Sequence, residues 1–146
     1  MPANQVSVQP SIYRKVQAAL SAANASETSP AVGGVTAYTP TTAANGGFGA
    51  KITTLRAQAT ATTTLGRIKF WRYDGVTYTH LFDWVVTAVT ISAGVAGWSS
   101  GLLTGANPLT GDVAVDITLN PGDTLIASTL NAETFSITGE AQEYGA

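Results

Sequence analysis

The chain has no cysteine and a single histidine, and only 11% of its 146 residues are charged, against about 25% in an average soluble domain. Without cysteine there can be no disulfide, thiolate nucleophile or cysteine-held zinc. One imidazole, His80, supports neither a histidine-rich metal site nor a Ser-His-Asp triad, and His80 reads first as a strand residue. Long apolar runs are also missing. The longest nearly uncharged stretch, residues 84–111, is interrupted by glycines and a proline, so no membrane span is expected. The opening MPANQVSVQPSIYRKVQAAL has no basic start followed by an apolar run and is not expected to act as a signal peptide.

The usual catalytic patterns are absent as well. Asp112 and Asp116 lie four residues apart on one strand, about 13 Å in extended chain, too far for an acid and a base acting on one substrate. The glycines of GGFG at 46–49 lack the following lysine and helix of a phosphate loop. Asp112 and Asp123 fall at turns, where capping is the ordinary role and a calcium contact the other one. The expectation is therefore a non-enzyme without cofactor or metal.

What is present is an apolar fraction of 45%, enough for one ordinary domain core, with Thr, Ser, Ala, Gly and Asn in place of charge. Such a surface costs little to desolvate, which suits packing against other proteins. The charges are segregated along the chain. All seven Lys and Arg lie at or before Arg72, and eight of the nine acids lie after it, Glu27 being the exception. Either the two halves neutralise each other inside one sandwich, or complementary faces meet between subunits, where charge sets register and partner choice. A pI near 5.1 argues against a nucleic-acid footprint.

Residues 1–34 are poor in bulky side chains, and SAANASETSPAVGG reads as a connector. Ile12, Val16, Ala19 and Leu20 have helical spacing while Gln5–Gln9 alternates as a strand does. The expectation is an N-terminal arm and connector over 1–34, ordered by a neighbour, and a β-sandwich domain over 35–146; the alternative is that the arm supplies a first strand. From Thr36 onward the signals are β: a threonine-rich strand at 51–59, strands at GRIKFWRY and VTYTHLFDWVV around Asp74-Gly75, and a strand at TAVTIS. A glycine-rich loop follows, then alternation from Val113 to Leu119, an NPGD turn, and strands at TLIAST and TFSITGEA. Seven or eight short strands with turn signals between them predict an all-β, antiparallel two-sheet sandwich of jelly-roll type.

The run GRIKFWRYDGVTYTHLFDW, residues 66–84, concentrates three cations, the histidine and six of the twelve aromatics. Asp-Gly between two such runs signals a two-residue hairpin turn. That register sets Tyr73 opposite Val76, Trp71 opposite Tyr78, Lys69 opposite His80 and Arg67 opposite Phe82, with Ile68, Phe70 and Leu81 on the core side. The first face then interleaves rings and cations. It is either an outer sheet face on which Lys and Arg stems lie over rings, or a contact surface with aromatic and Arg anchors; stacking of single-stranded bases is a third use. As a contact surface, it should tolerate loss of Trp71 and Lys69 without unfolding.

The order GGFGAKITTLRAQATATTTLGRIKFWRYDG, LFDWVVTAVTIS, LNPGDTLIASTLNAETFSITGEAQEY resembles small virion proteins of tailed bacteriophages, the capsid decoration or cement proteins and their structural relatives. The resemblance covers residues 36–144 and is one of pattern. It implies a β-sandwich, often trimeric, seated non-covalently on the outer capsid, with no catalytic residue to carry over. Expected partners are the major capsid protein and further copies of the chain as a homotrimer, with no nucleic acid and no membrane. The expected location is the virion exterior after synthesis in the bacterial cytoplasm. The contact candidates are Arg14, Lys15, Arg67, Lys69, Trp71, Arg72 and Tyr78. A tail or spike module binding host glycans through Trp71, Tyr78, Trp84 and Trp98, or a tail-joining protein, is the alternative.

Overall fold

The computed structural model describes residues 10–145. Eight strands form: β1 Pro10–Leu20, β2 Val35–Tyr38, β3 Gly47–Ala59, β4 Gly66–Tyr73, β5 Tyr78–Val86, β6 Val113–Leu119, β7 Thr124–Thr129 and β8 Phe135–Gly145. Two short 3-10 turns, at Ala43–Asn45 and Ser100–Leu102, complete the regular elements among the described residues. The strands make two four-stranded sheets, β1-β8-β3-β6 and β2-β7-β4-β5, and every pairing is antiparallel. The all-β, two-sheet architecture expected from the sequence is present. Pairing is nested: first strand with last, second with seventh, third with sixth, fourth with fifth.

Period-two alternation builds the core, because alternate side chains of a strand share a face. Val16, Ala18 and Leu20 of β1, Ile52, Leu55 and Ala57 of β3, and Phe135, Ile137 and Ala141 of β8 come from one sheet; Ile68, Phe70, Trp84, Val86, Leu125 and Ala127 come from the other. Trp98, from the long connection between β5 and β6, packs edge-on against Phe135 at 6.0 Å between ring centroids. The NPGD turn forms where expected: Asp123 donates its N–H to the Asn120 carbonyl and accepts the Asn120 N–H on Oδ2.

Two expectations are corrected. The arm and domain boundary expected at residues 34/35 do not hold for the described part, because β1 pairs with β8 over its whole length and lends the core three side chains. Its small residues, Ala18 and Ala19, dilute the apolar alternation that would have marked it. Residues 21–34 run on as a strap, bridging back through Ala23 to Thr129; residues 1–9 lie outside the described residues. Likewise TAVTIS is no strand: Val89 and Ser92 make only isolated bridges, to Thr63 and Val95, since no neighbouring strand extends the ladder.

Gly139 marks a tight point in the first sheet. It faces Val16 on one side and Leu55 on the other, and a register shift in β3 between Ile52 and Thr54 pushes the Thr54 carbonyl to 2.3 Å from where a Cβ would sit. Gly139→Ala should therefore destabilise by about 1–3 kcal/mol through overpacking, seen as a lower urea midpoint at unchanged slope. An unaltered midpoint would refute this packing.

Candidate functional site

The hairpin forms with a different turn from the one its Asp-Gly pair suggests. Asp74 Oδ1 accepts the N–H groups of Val76 and Thr77, at 2.9 and 2.7 Å, and Gly75 takes φ +97°, so residues 74–77 all belong to the turn. These amide donors hold the Asp74 carboxyl below its ordinary pKa. The register moves accordingly: Tyr73 faces Tyr78, Trp71 faces His80, Lys69 faces Asp83 and Arg67 faces Val85, with a bulge between Phe70 and Trp71. The bulge turns Phe82 to the core side, where its ring lies 4.9 Å from Phe70. The partners move by two residues at Tyr73 and Trp71 and by three at Lys69 and Arg67, beyond the bulge; the two faces of β4 stay as expected, while Phe82 of β5 changes face.

The larger correction is that this outer face is not open. Lys69 and Trp71 are fully buried, as are Ile68 and Phe70 on the opposite face. The strap covers Lys69. Lys69 Nζ donates to the Ser26 carbonyl at 2.7 Å and to Glu27 Oε1 at 3.2 Å, while Asn24 N–H donates to the Thr129 carbonyl at 2.7 Å. Trp71 Nε1–H donates to the buried Ser128 hydroxyl at 3.0 Å, and the His80 ring lies edge-on to the indole, 5.0 Å between centroids.

Charge closes the arrangement. Arg67 sits between Glu27, at 2.6 Å, and Asp83, at 2.9 Å, and Asp83 also engages His80 through Nε2. Glu27 is half exposed, yet its carboxyl is held below the ordinary range, chiefly by the Lys69 hydrogen bond and then by the nearby Lys69 and Arg67 charges. Two of the three cations that made the sequence stretch conspicuous, Arg67 and Lys69, are thus paired with a strap about 40 residues away in the chain.

The remaining candidates scatter. Arg14, at the inward row of β1, pairs with Glu143 at 3.4 Å. Lys15 is exposed on the outer face of the same strand. Arg72 lines a cleft of ≈ 420 Å³ between β5 and β6, with Leu81, Phe82, Trp84, Val113 and Val115. Tyr78 stacks on Tyr73 at 4.4 Å. The structure therefore brings Arg67, Lys69 and Trp71 together and leaves Arg14, Lys15, Arg72 and Tyr78 apart from them. Of the four rings considered as sugar platforms, Trp71, Trp84 and Trp98 are buried, which corrects that expectation and leaves Tyr78.

A buried carboxylate went unnoticed in the sequence. Glu143 accepts the Tyr38 hydroxyl on Oε2 and the Thr41 N–H on Oε1, both at 2.6 Å, besides its pairing with Arg14. Burial raises its pKa, but the Thr41 and Tyr38 hydrogen bonds and the Arg14 charge together outweigh burial and hold it below the ordinary value. Burial, and then the bond to Glu143, push the Tyr38 phenol well above its usual range. The available sign was its place in β8: Phe135, Ile137, Ala141 and Glu143 occupy one row, so the acid falls at an inward position.

No family model, curated protein or solved structure matches this chain. Among the described residues no group of three or more His, Asp or Glu is arranged to hold a metal ion, and no helix is long and apolar enough to cross a membrane.

Proposed function

We propose that the chain is a structural virion protein that decorates and stabilises a bacteriophage capsid, binding the major capsid protein shell non-covalently as a homotrimer on the outside of the head. In this reading it needs no cofactor, nucleic acid or membrane, and the sandwich is of jelly-roll type, which the nested strand pairing supports. The observation that carries the reading is where the polar chemistry is spent. Lys69, Trp71, Arg67 and Glu143, the groups with the most chemical capacity, are used to tie strands and strap together. What remains outside is small polar surface with scattered exposed apolar side chains such as Tyr13, Phe48 and Leu65, which favours packing over turnover. The resemblance to decoration proteins points the same way.

The test is a density map of the particles that carry the chain, with copies counted and placed. Hundreds of copies at lattice positions over the head are expected. A handful at a single vertex would replace this reading with tail-joining or host recognition, and absence from particles would overturn all three.

A further inference from the structure

The sheet β1-β8-β3-β6 has a charge order that neither strand order nor composition requires. β1 carries Arg14 and Lys15 and no acid; β8 carries Glu140 and Glu143 and no cation; β3 carries Lys51 and Arg56 and no acid; β6 carries Asp116, just after Asp112, and no cation. Across the sheet the sign runs plus, minus, plus, minus. Two ion pairs follow it: Arg14 to Glu143 at 3.4 Å and Lys51 to Asp116 at 3.2 Å. Strand direction alternates with the same period, since all three pairings are antiparallel.

A pattern periodic in both sign and direction ends on complementary edges. Among the described residues β1 is paired only with β8 and β6 only with β3, so each presents there a side with unpaired backbone donors and acceptors, a template for another strand. The strand that would continue the sheet beyond β6 is a positively charged one running opposite to it, and β1 of another copy is such a strand. Lys15 is exposed and makes no ion pair among the described residues, and the Asp116 side chain is 74% exposed despite its contact with Lys51.

We infer that β1 of one copy pairs antiparallel with β6 of a second copy, with Lys15 opposite Asp116. In that register the outward rows match, Tyr13 meeting Thr118 and Gln17 meeting Ala114. In the inward rows Val16 meets Val115, Ala18 meets Val113 and Ile12 meets Leu119, while Arg14, already paired with Glu143, meets Ile117. Tyr13 and Ile12, now 72% and 38% exposed, would be covered, and so would the half-buried Val113 and Val115. The contact is heterologous, so it builds a ring if the rotation closes and an open chain if it does not. It gives the self-association part of the proposed function a surface and rests on that part alone; capsid binding is a separate matter.

The experiment is sedimentation of the purified full chain at low salt, from micromolar to millimolar, with charge reversals. Lys15→Glu and Asp116→Lys should each weaken association about tenfold, since an attraction becomes a repulsion. Mixing the two variants should restore it, because the carboxylate introduced on β1 of one then faces the ammonium introduced on β6 of the other. In parallel, the doubly substituted chain Lys15→Cys, Asp116→Cys should oxidise to a covalent ladder, a trimer or longer. The two positions of one copy lie three strand spacings apart, about 14 Å, beyond the reach of an internal disulfide, and the native chain contributes no cysteine of its own. The pair Lys15→Cys, Val76→Cys, with Val76 at the β4–β5 turn, should give no ladder. A strict monomer throughout the range, or association that ignores both reversals and yields no ladder, overturns the inference. Copies found on capsids while either result holds would leave the proposed function standing without this contact; a ladder from a protein absent from capsids would do the reverse.

Discussion

Trp71→Ala should cost about 3–5 kcal/mol of stability, the usual loss on truncating a fully buried large aromatic. Such a loss is a large part of the roughly 5–15 kcal/mol that holds a domain together, and it should lower the melting temperature by about 10 °C or more. Two effects combine. The indole is fully buried, so its removal leaves a cavity beside Ser128 and His80, and the Ser128 hydroxyl, itself fully buried, loses the Nε1–H donor at 3.0 Å. Trp71→Phe separates them, since it keeps most of the bulk and removes only the donor; it should cost about 1–3 kcal/mol. Circular dichroism melts of both variants read the outcome. This reverses the expectation from sequence, by which Trp71 and Lys69 form a surface that can be stripped while the fold survives. If Trp71→Ala melted with the wild type, the indole would not be packed into the fold as its burial and its bond to Ser128 require.

Glu143→Ala should destabilise by about 3 kcal/mol, because it withdraws the acceptor from the Tyr38 hydroxyl and the Thr41 N–H, and hydrogen bonds to a charged group each contribute about 1.5–3 kcal/mol. Its partner Arg14 is half exposed, so the ion pair itself adds little. Glu143→Gln is the informative companion. It keeps the shape but presents one oxygen acceptor instead of two, and it cannot titrate. In the folded wild type the carboxyl is held below its ordinary value of 4.5, so the unfolded chain takes up the proton first as pH falls. The stability this group supplies is therefore complete above pH 4.5 and is lost as pH drops through the folded value. Urea midpoints against pH should show a shallower acid limb for Glu143→Gln than for wild type. The limb should not vanish, because Glu27 and Asp74 are also held below their ordinary values and act with the same sign. An acid limb identical in both proteins would exclude Glu143 from acid unfolding.

Local chemistry alone determined a good deal of this molecule. The alternation of Val113, Val115, Ile117 and Leu119 marks β6 and its inward row, because pleating sends neighbouring side chains to opposite faces whatever the strand packs against. Asn120 to Asp123 marks a turn through the preferences of Pro and Gly, and Ile68 and Phe70 were readable as core. The two-sheet, all-β class follows from these, since strands with one apolar face must bury it against another sheet. Register was less accessible: the Val76 and Thr77 N–H groups donate to the Asp74 carboxylate, which lengthened the hairpin turn.

What only the tertiary structure decided are the relations between distant segments. That Lys69 is roofed depends on residues 26–27, some 40 positions away; alternation tells a strand which side chains share a face, but not whether that face meets water or chain. The same holds for charge. In sequence the cations come early and the acids late, which reads as two opposed halves. In space β8 lies between β1 and β3, and β6 lies on the far side of β3, so early and late strands interleave and each cationic strand gains an acidic neighbour. Coulomb attraction acts between strands about 4.8 Å apart, and nesting the chain's end among its beginning is what sets those distances.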